Sequence, residues 1–287
     1  MPTLTERLTD VSLVGAGVRR VRVTTPRGPL SMLRGEGRGD GPPIVLLHGL
    51  GSCAADLSAL LRRLRRHTSL LLAPDLPGHG HSPAPDAAFE PDAVAAQLSE
   101  GVAAMLPGPA LLFGSSLGGL AAVRFAQRHP ARVIGLVLAS PAGAPMSAEE
   151  HEAFFDSLRV ADHAAARDFV DRSFHSTRLP RALLAWGLAE RFGTPYVARL
   201  LDAVEPHHLL RAEELQQLRV PVHLLWGTGD QLLPAGHFEW WARHLPPGSS
   251  VERVPRAGHA PYLERAGAVA RSIRAALAEL PGGAGVG

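Results

Sequence analysis

The chain contains no lysine, so all 29 of its basic residues are arginine, set against 27 acidic ones for a formal net charge of +2. That balance is near neutral, and the arginines are scattered without interleaved aromatics, so no nucleic-acid face is expected. Cysteine is nearly absent too. Cys53 stands alone, which excludes an internal disulfide and suits a reducing, cytoplasmic setting. No apolar run is long enough to cross a bilayer, and the first ten residues, MPTLTERLTD, carry acidic and polar groups in place of an apolar signal core. Neither a membrane partner nor a secretory leader is expected. Also missing are a phosphate loop and a dinucleotide fingerprint, so no cofactor is implied.

What the chain does have is length and apolar content: 287 residues, 46% hydrophobic, enough to bury roughly three quarters of the unfolded surface without staples. One catalytic domain with an insertion fits this size. Val18 to Thr24 and Pro29 to Arg34 read as two short strands joined at Pro26-Arg27-Gly28. Ile44 to Leu47 is a continuous apolar run, as in a strand buried on both faces of a parallel sheet. A helix at Asp56 to Arg66 follows, then strand Ser69 to Ala73, helix Pro91 to Met105, strand Ala110 to Phe113, helix Leu117 to His129 and strand Arg132 to Ala139. Strands alternating with helices predict an α/β fold, a doubly wound and mostly parallel sheet.

After Ser140 the alternation stops. Helical patterns fill Ala148 to Leu158, His163 to Phe174, Pro180 to Phe192, Pro195 to Val204 and Leu209 to Leu218. We expect an inserted all-helical cap over the sheet. The α/β rhythm resumes with strand Val220 to Trp226, helix Ala235 to His244, strand Ser250 to Val254 and one last helix from Pro261 to Leu280, before a disordered tail. The expected division is core 1–140, cap 141–218, core 219–287.

Chemistry enters at Phe113-Gly114-Ser115-Ser116-Leu117-Gly118-Gly119. A strand runs into a helix here through a turn so sharp that residues without a Cβ are needed on both sides of the bulky position. Ser116 alone has glycines two residues before and after it; the neighbouring Ser115 does not. A serine hydroxyl attacks only when a base takes its proton and an acid orients that base. Asp230 follows the strand Val220 to Trp226 through Gly227-Thr228-Gly229, whereas the alternative place for an acid, Ser140 to Ala144, holds no carboxylate. Of the 14 histidines, only His259 falls at a strand-to-helix corner on the carboxyl side of the sheet and last in chain order; His237 and His244 lie on a helix flank and His223 in a strand. Ser116, Asp230 and His259 are the expected catalytic residues. The backbone N–H groups of Leu50 and Leu117 are the expected oxyanion donors, with His48 structural.

These motifs, together with His48-Gly49-Leu50-Gly51, Asp75-Leu76-Pro77-Gly78-His79-Gly80-His81-Ser82, Trp226 to Asp230 and Gly258-His259-Ala260-Pro261-Tyr262-Leu263-Glu264, resemble the α/β-hydrolase superfamily, in the capped branch of BioH-like carboxylesterases. The resemblance spans residue 44 to about 280 and implies structural roles for Asp75 and His79. Haloalkane dehalogenases and epoxide hydrolases carry aspartate where Ser116 stands. C–C bond hydrolases usually have asparagine before the serine and tryptophan after the histidine, and this chain has Ser115 and Ala260. Proline iminopeptidases have tryptophan where Leu117 stands.

The cap offers Phe154, Phe155, Phe174, Trp186, Leu188, Phe192 and Tyr196; most are expected to pack against other cap helices, with about a third facing the pocket. Phe154, Phe174 and Trp186 are the candidate substrate contacts. Arg172, Arg178 and Arg181 could meet a substrate carboxylate, but solvated arginines are the expectation. His207-His208 is not a metal site, because adjacent helical side chains diverge and no third ligand is spaced to join them. Cys53 is expected to be a small buried residue at a helix start. The reading is a cofactor-independent serine hydrolase, monomer or homodimer, cleaving small esters with an apolar acyl or alcohol part. The rivals are the same triad used for C–C bond, lactone or thioester cleavage or perhydrolysis, and a binding protein that keeps the fold with an idle site.

Overall fold

The structure, a computed structural model, describes residues 17–85, 90–177 and 180–280. An antiparallel hairpin, β1 (Val18–Thr25) and β2 (Gly28–Glu36), opens the chain. The strands β3 (Ile44–Leu47), β4 (Leu70–Pro74), β5 (Ala110–Ser115), β6 (Val133–Ala139), β7 (Val222–Gly227) and β8 (Ser250–Val254) follow. All eight form one sheet in the order β1-β2-β4-β3-β5-β6-β7-β8. Only the β1/β2 and β2/β4 pairings are antiparallel. The doubly wound, mostly parallel sheet expected of the sequence is therefore observed.

Period-two alternation explains why β3, β5 and β6 read as unbroken apolar runs. In β3, Val45 and Leu47 join the core on one face while Ile44 and Leu46 join the other; in β5, Leu112 opposes Leu111 and Phe113. One face is covered by α2 (Pro91–Met105) and α3 (Leu117–Arg128), through residues such as Leu98, Val102 and Val123. The other is covered by α1 (Ser58–Leu64) and, at the chain's end, by a long C-terminal helix, through Leu60, Leu61, Val269 and Ile273. Edge strand β1 alternates exposed with buried positions instead, since helices cover one of its faces only.

Between β6 and β7 lie α4 (Ala148–Ser157), α5 (His163–Ser173), α6 (Arg181–Phe192), α7 (Pro195–Ala203) and α8 (Ala212–Gln216). Their starts are written in the sequence. Ser147 and Glu150 form a reciprocal capping box for α4, Asp162 accepts the Ala164 and Ala165 N–H groups of α5, and Thr194 caps α7. Helices α4 to α7 share an apolar cluster that includes Phe169, Val170, Phe192, Tyr196 and Leu200, against which Leu50 and Leu117 pack from below, while Leu215 of α8 joins the core of the sheet.

Two expected helices differ. Leu209 to Leu218 is helical only over α8, because Leu209 and Arg211 are extended and Leu210 between them donates its N–H to Gly143 O (2.7 Å). After α9 (His237–His244), the predicted final helix breaks at Arg265 (φ −129°, ψ 41°) into α10 (Pro261–Glu264) and α11 (Ala266–Glu279). The break leaves Glu264 able to turn back toward the loop before α10. No helix of the described residues is long and apolar enough to cross a membrane. Arg178, residues 1–10 and the tail after Leu280 lie outside the described residues.

Candidate active site

The carboxyl ends of β3, β5, β7 and β8 converge on one cavity of about 730 Å³. Ser116 is the residue between β5 and α3, and its backbone is left-handed at φ 53°, ψ −122°, a strained conformation for a residue with a Cβ. The glycines around it are required by close approach. A Cβ on Gly118 would lie 2.4 Å from the carbonyl oxygens of both Leu47 and His48, and one on Gly114 would lie 2.3 Å from Gly118 O. Strand, serine and helix can therefore be packed this tightly only with glycine at both places.

Asp230 and His259 are brought together: His259 Nδ1 lies 3.0 Å from Asp230 Oδ2. Asp230 Oδ1 accepts the Leu232 N–H at 3.0 Å. Burial would raise this carboxyl, but the charge and hydrogen bond of His259 and the Leu232 N–H outweigh it and hold the group below the usual carboxylate range. With Nδ1 committed to Asp230, the other ring nitrogen is the one that can accept a proton. That atom, His259 Nε2, is buried and makes no hydrogen bond among the described residues, and Ser116 and His259 line the same cavity.

Leu50 and Leu117 border that cavity as well. Leu117 is the first residue of α3, so its N–H has no preceding helical turn to bond. Leu50 sits in the loop after β3, which approaches the serine closely: a Cβ on Gly49 would be 3.8 Å from Ser116 Oγ. His48 fixes this loop. It donates from Nδ1 to Gly49 O (2.8 Å) and accepts the Leu76 N–H at Nε2 (3.0 Å), and burial lowers its pKa to about 4. His79, beside it, is likewise pushed to about 4 by burial. Asp75 is fully buried and accepts N–H groups from Ala54 and His81, a structural arrangement.

The sequence of the Alpha/beta hydrolase family matches residues 44–272 of this chain. The chain belongs to the α/β-hydrolase family. Pimeloyl-acyl-carrier-protein methyl ester esterases of Chromobacterium violaceum and Nitrosomonas europaea are each 33% identical to it, over 78% and 79% of this chain and 90% and 92% of their own. Among solved structures, it is similar to a membrane phospholipase A (TM-score 0.81, 25% identity, 95% of this chain and 91% of that one). The carboxylesterase CesB of Bacillus subtilis shares the fold (TM-score 0.75, 24% identity, 96% and 97%). The BioH-like branch expected from the ordered motifs is borne out, and this α/β-hydrolase is a carboxylic-ester hydrolase.

The roof of its cavity differs from expectation. Phe154, Phe155, Phe174, Trp186, Leu188, Phe192 and Tyr196 all line it, not a third of them. Phe192 and Tyr196 are buried in the apolar cluster of these helices and Phe154, Phe155, Phe174 and Leu188 pack against it, yet all of them border the cavity. Trp186, Leu183 and Leu263 are 63%, 52% and 42% exposed and form an apolar rim. The walls hold ion pairs as well as Asp92, Glu190, Glu264 and Arg265. Arg191 meets Asp56 at 2.7 Å, and Arg124 meets Glu214 at 2.6 Å. Arg172 and Arg181 are paired with Asp168 and Asp171. His207 and His208 do not diverge as expected: they sit in a tight 3-10 turn with ring centroids 3.9 Å apart, tilted by 37°, and no group of side chains able to hold a metal occurs among the described residues.

Two residues escaped the sequence reading. His237, placed there on a helix flank, is buried in the cavity wall, and burial takes its pKa to about 4. The left-handed Gly236 (φ 87°) starts α9 just before it and turns it inward. Glu264, quoted only as part of a motif, accepts the Gly258 N–H at 2.6 Å and the Ser176 N–H at 2.7 Å.

Proposed function

We propose that this enzyme cleaves neutral esters with an apolar acyl or alcohol part through an acyl-enzyme on Ser116. The observation that carries the reading is the 3.0 Å contact of His259 Nδ1 with Asp230 Oδ2 in a cavity that Ser116 also lines. Ser116 Oγ attacks the ester carbonyl carbon as His259 Nε2 takes its proton. The same proton passes to the departing alkoxide, and water then repeats the sequence on the acyl-enzyme. Asp230 holds the imidazole in the tautomer with the proton on Nδ1 and stabilises the imidazolium. The oxyanion is received by the N–H groups of Leu50 and Leu117, the latter aided by the positive end of the α3 dipole.

Residues 141–218 act as a cap between core segments 1–140 and 219–287, and Phe154, Phe174 and Trp186 contact the substrate's apolar part. The pairing of Arg191 with Asp56 and of Arg124 with Glu214 supports a neutral substrate, since an incoming carboxylate would compete with an existing ion pair at either arginine. The name of the relatives, which specifies a methyl ester on a pimeloyl chain, supports an ester at the end of an aliphatic chain. The single cysteine suits a reducing, cytoplasmic setting.

The test is hydrolysis of a short-chain p-nitrophenyl ester by the wild type and by Ser116→Ala, with fluorophosphonate labelling of Ser116. The variant is expected to lose about a thousandfold or more in kcat. Equal rates in both would reject the acyl-enzyme, and a panel of ester, lactone, thioester and diketone substrates separates the ester reading from other uses of the same triad.

A further inference from the structure

A short stretch of cap backbone is wedged between the acid loop and the histidine loop. At the C-terminus of α5, where the last carbonyls have no partners within the helix, Arg172 O accepts the Gln231 N–H (3.1 Å) and Ser173 O accepts the N–H of His259 itself (2.7 Å). Gln231 follows Asp230 directly, so both loops of the acid–base pair rest on adjacent carbonyls of one cap helix. The fit depends on glycine. A Cβ on Gly258 would stand 2.3 Å from Ser173 O and 2.9 Å from His175 N. Three residues beyond Ser173, the chain is fastened a second time: Ser176 N–H donates to Glu264 Oε2, while Glu264 Oε1 takes the Gly258 N–H next to His259. Both are charge-assisted bonds, roughly twice as strong as neutral ones.

We propose that Glu264 is a positioning residue: its carboxylate clips cap residues 172–176 to the histidine loop, so that seating the cap and placing the His259 imidazole are one event. The inference rests on the acyl-enzyme reading above. It assigns Glu264 no contact with substrate. Its effect passes through the backbone of Gly258 and His259, and a cap that lifts at this corner withdraws the base from Ser116.

Glu264→Gln keeps the size of the side chain but turns an amide N–H₂ against one of the two N–H donors. Glu264→Asp keeps the charge with a shorter reach, and Glu264→Ala removes both bonds. In each, kcat and KM for a p-nitrophenyl ester, the rate of fluorophosphonate labelling of Ser116 and the folded fraction by circular dichroism are measured beside the wild type. In the Gln variant, kcat and the labelling rate are expected to fall together by tenfold or more, with KM changed less than threefold and the protein folded. The Asp variant is expected to recover part of the loss. The proposal is overturned by labelling and kcat within threefold of wild type in the Gln variant, by a rise in KM at constant kcat, or by losses that only follow the unfolded fraction. Should the Ala variant fail to fold, the Gln and Asp pair decides. A wild-type enzyme that is never labelled at Ser116 overturns the acyl-enzyme reading and this inference with it, whereas a labelled wild type with an unaffected Gln variant overturns this inference alone.

Discussion

The floor and the roof of the cavity are built by opposite means. The floor is backbone: glycines that a single Cβ would jam against carbonyl oxygens 2.3 to 2.4 Å away, a left-handed serine, and buried polar side chains such as His48 and Asp230 tied to main-chain groups. The roof is side chain: aromatic and aliphatic groups from helices α4 to α7, some as exposed as Trp186 at 63%. Atoms that react must be held within fractions of an ångström, and backbone packing holds them. Atoms that only surround an apolar chain need volume and hydrophobicity, which many side chains supply. The floor is therefore intolerant and the roof adjustable.

This contrast is sharpened most by Asp230→Asn, which leaves the floor's shape intact but reverses the tautomer preference of His259. The expected loss is about a thousandfold to ten-thousandfold in kcat, read with a p-nitrophenyl ester; a loss under tenfold would mean that Asp230 does not orient the base. Next comes Gly118→Ala, whose Cβ meets the Leu47 and His48 carbonyls at 2.4 Å. A destabilisation of roughly 2–4 kcal/mol is expected in urea unfolding, and a change within experimental error would show that the elbow can relax.

Acid should weaken the floor before the roof. His48 and His79 lie under the loop after β3 and His237 beside the Asp230–His259 pair, each lowered by burial from 6.5 to about 4. Between those values the unfolded chain binds more protons than the folded one. Stability is thus complete above about pH 6.5 and is lost as pH falls toward 4, by up to about 3 kcal/mol per buried histidine. Melting temperatures measured from pH 7.5 to 4 check this, and His48→Gln, which can still donate and accept in that position, should flatten the curve. The smallest effect is expected on the roof. Trp186→Ala should raise KM for a medium-chain ester threefold to tenfold, leave kcat within threefold, and move stability by under about 1 kcal/mol.

How much of this could be read from the chain divides along the same line. The elbow was legible because Gly114, Ser116 and Gly118 are neighbours in sequence, and their steric demand on one another is local. Asp230 and His259 were legible because parallel strands deliver their carboxyl ends to one edge, so chain order stands in for position. Glu264 was not, because its partners Gly258 and Ser176 meet it only after α10 stops early at Arg265, and no periodicity announces that stop. His237 was missed because a helix flank has two sides, and Phe154, whose ring centroid lies 6.4 Å from its own, comes from a distant helix in the chain. The share of cap aromatics facing the cavity was underestimated for a related reason: amphipathic spacing tells which side of a helix is apolar but not how many layers cover it.

Cys53 carries a last consequence. It is 1% exposed and sits three residues beyond Leu50, at the start of the turn leading into α1. As the chain's only thiol, it is a native reporter needing no engineering. A disulfide reagent can reach the sulfur only when the structure around it opens, so its modification rate under native conditions reports how often the turn after Leu50 opens.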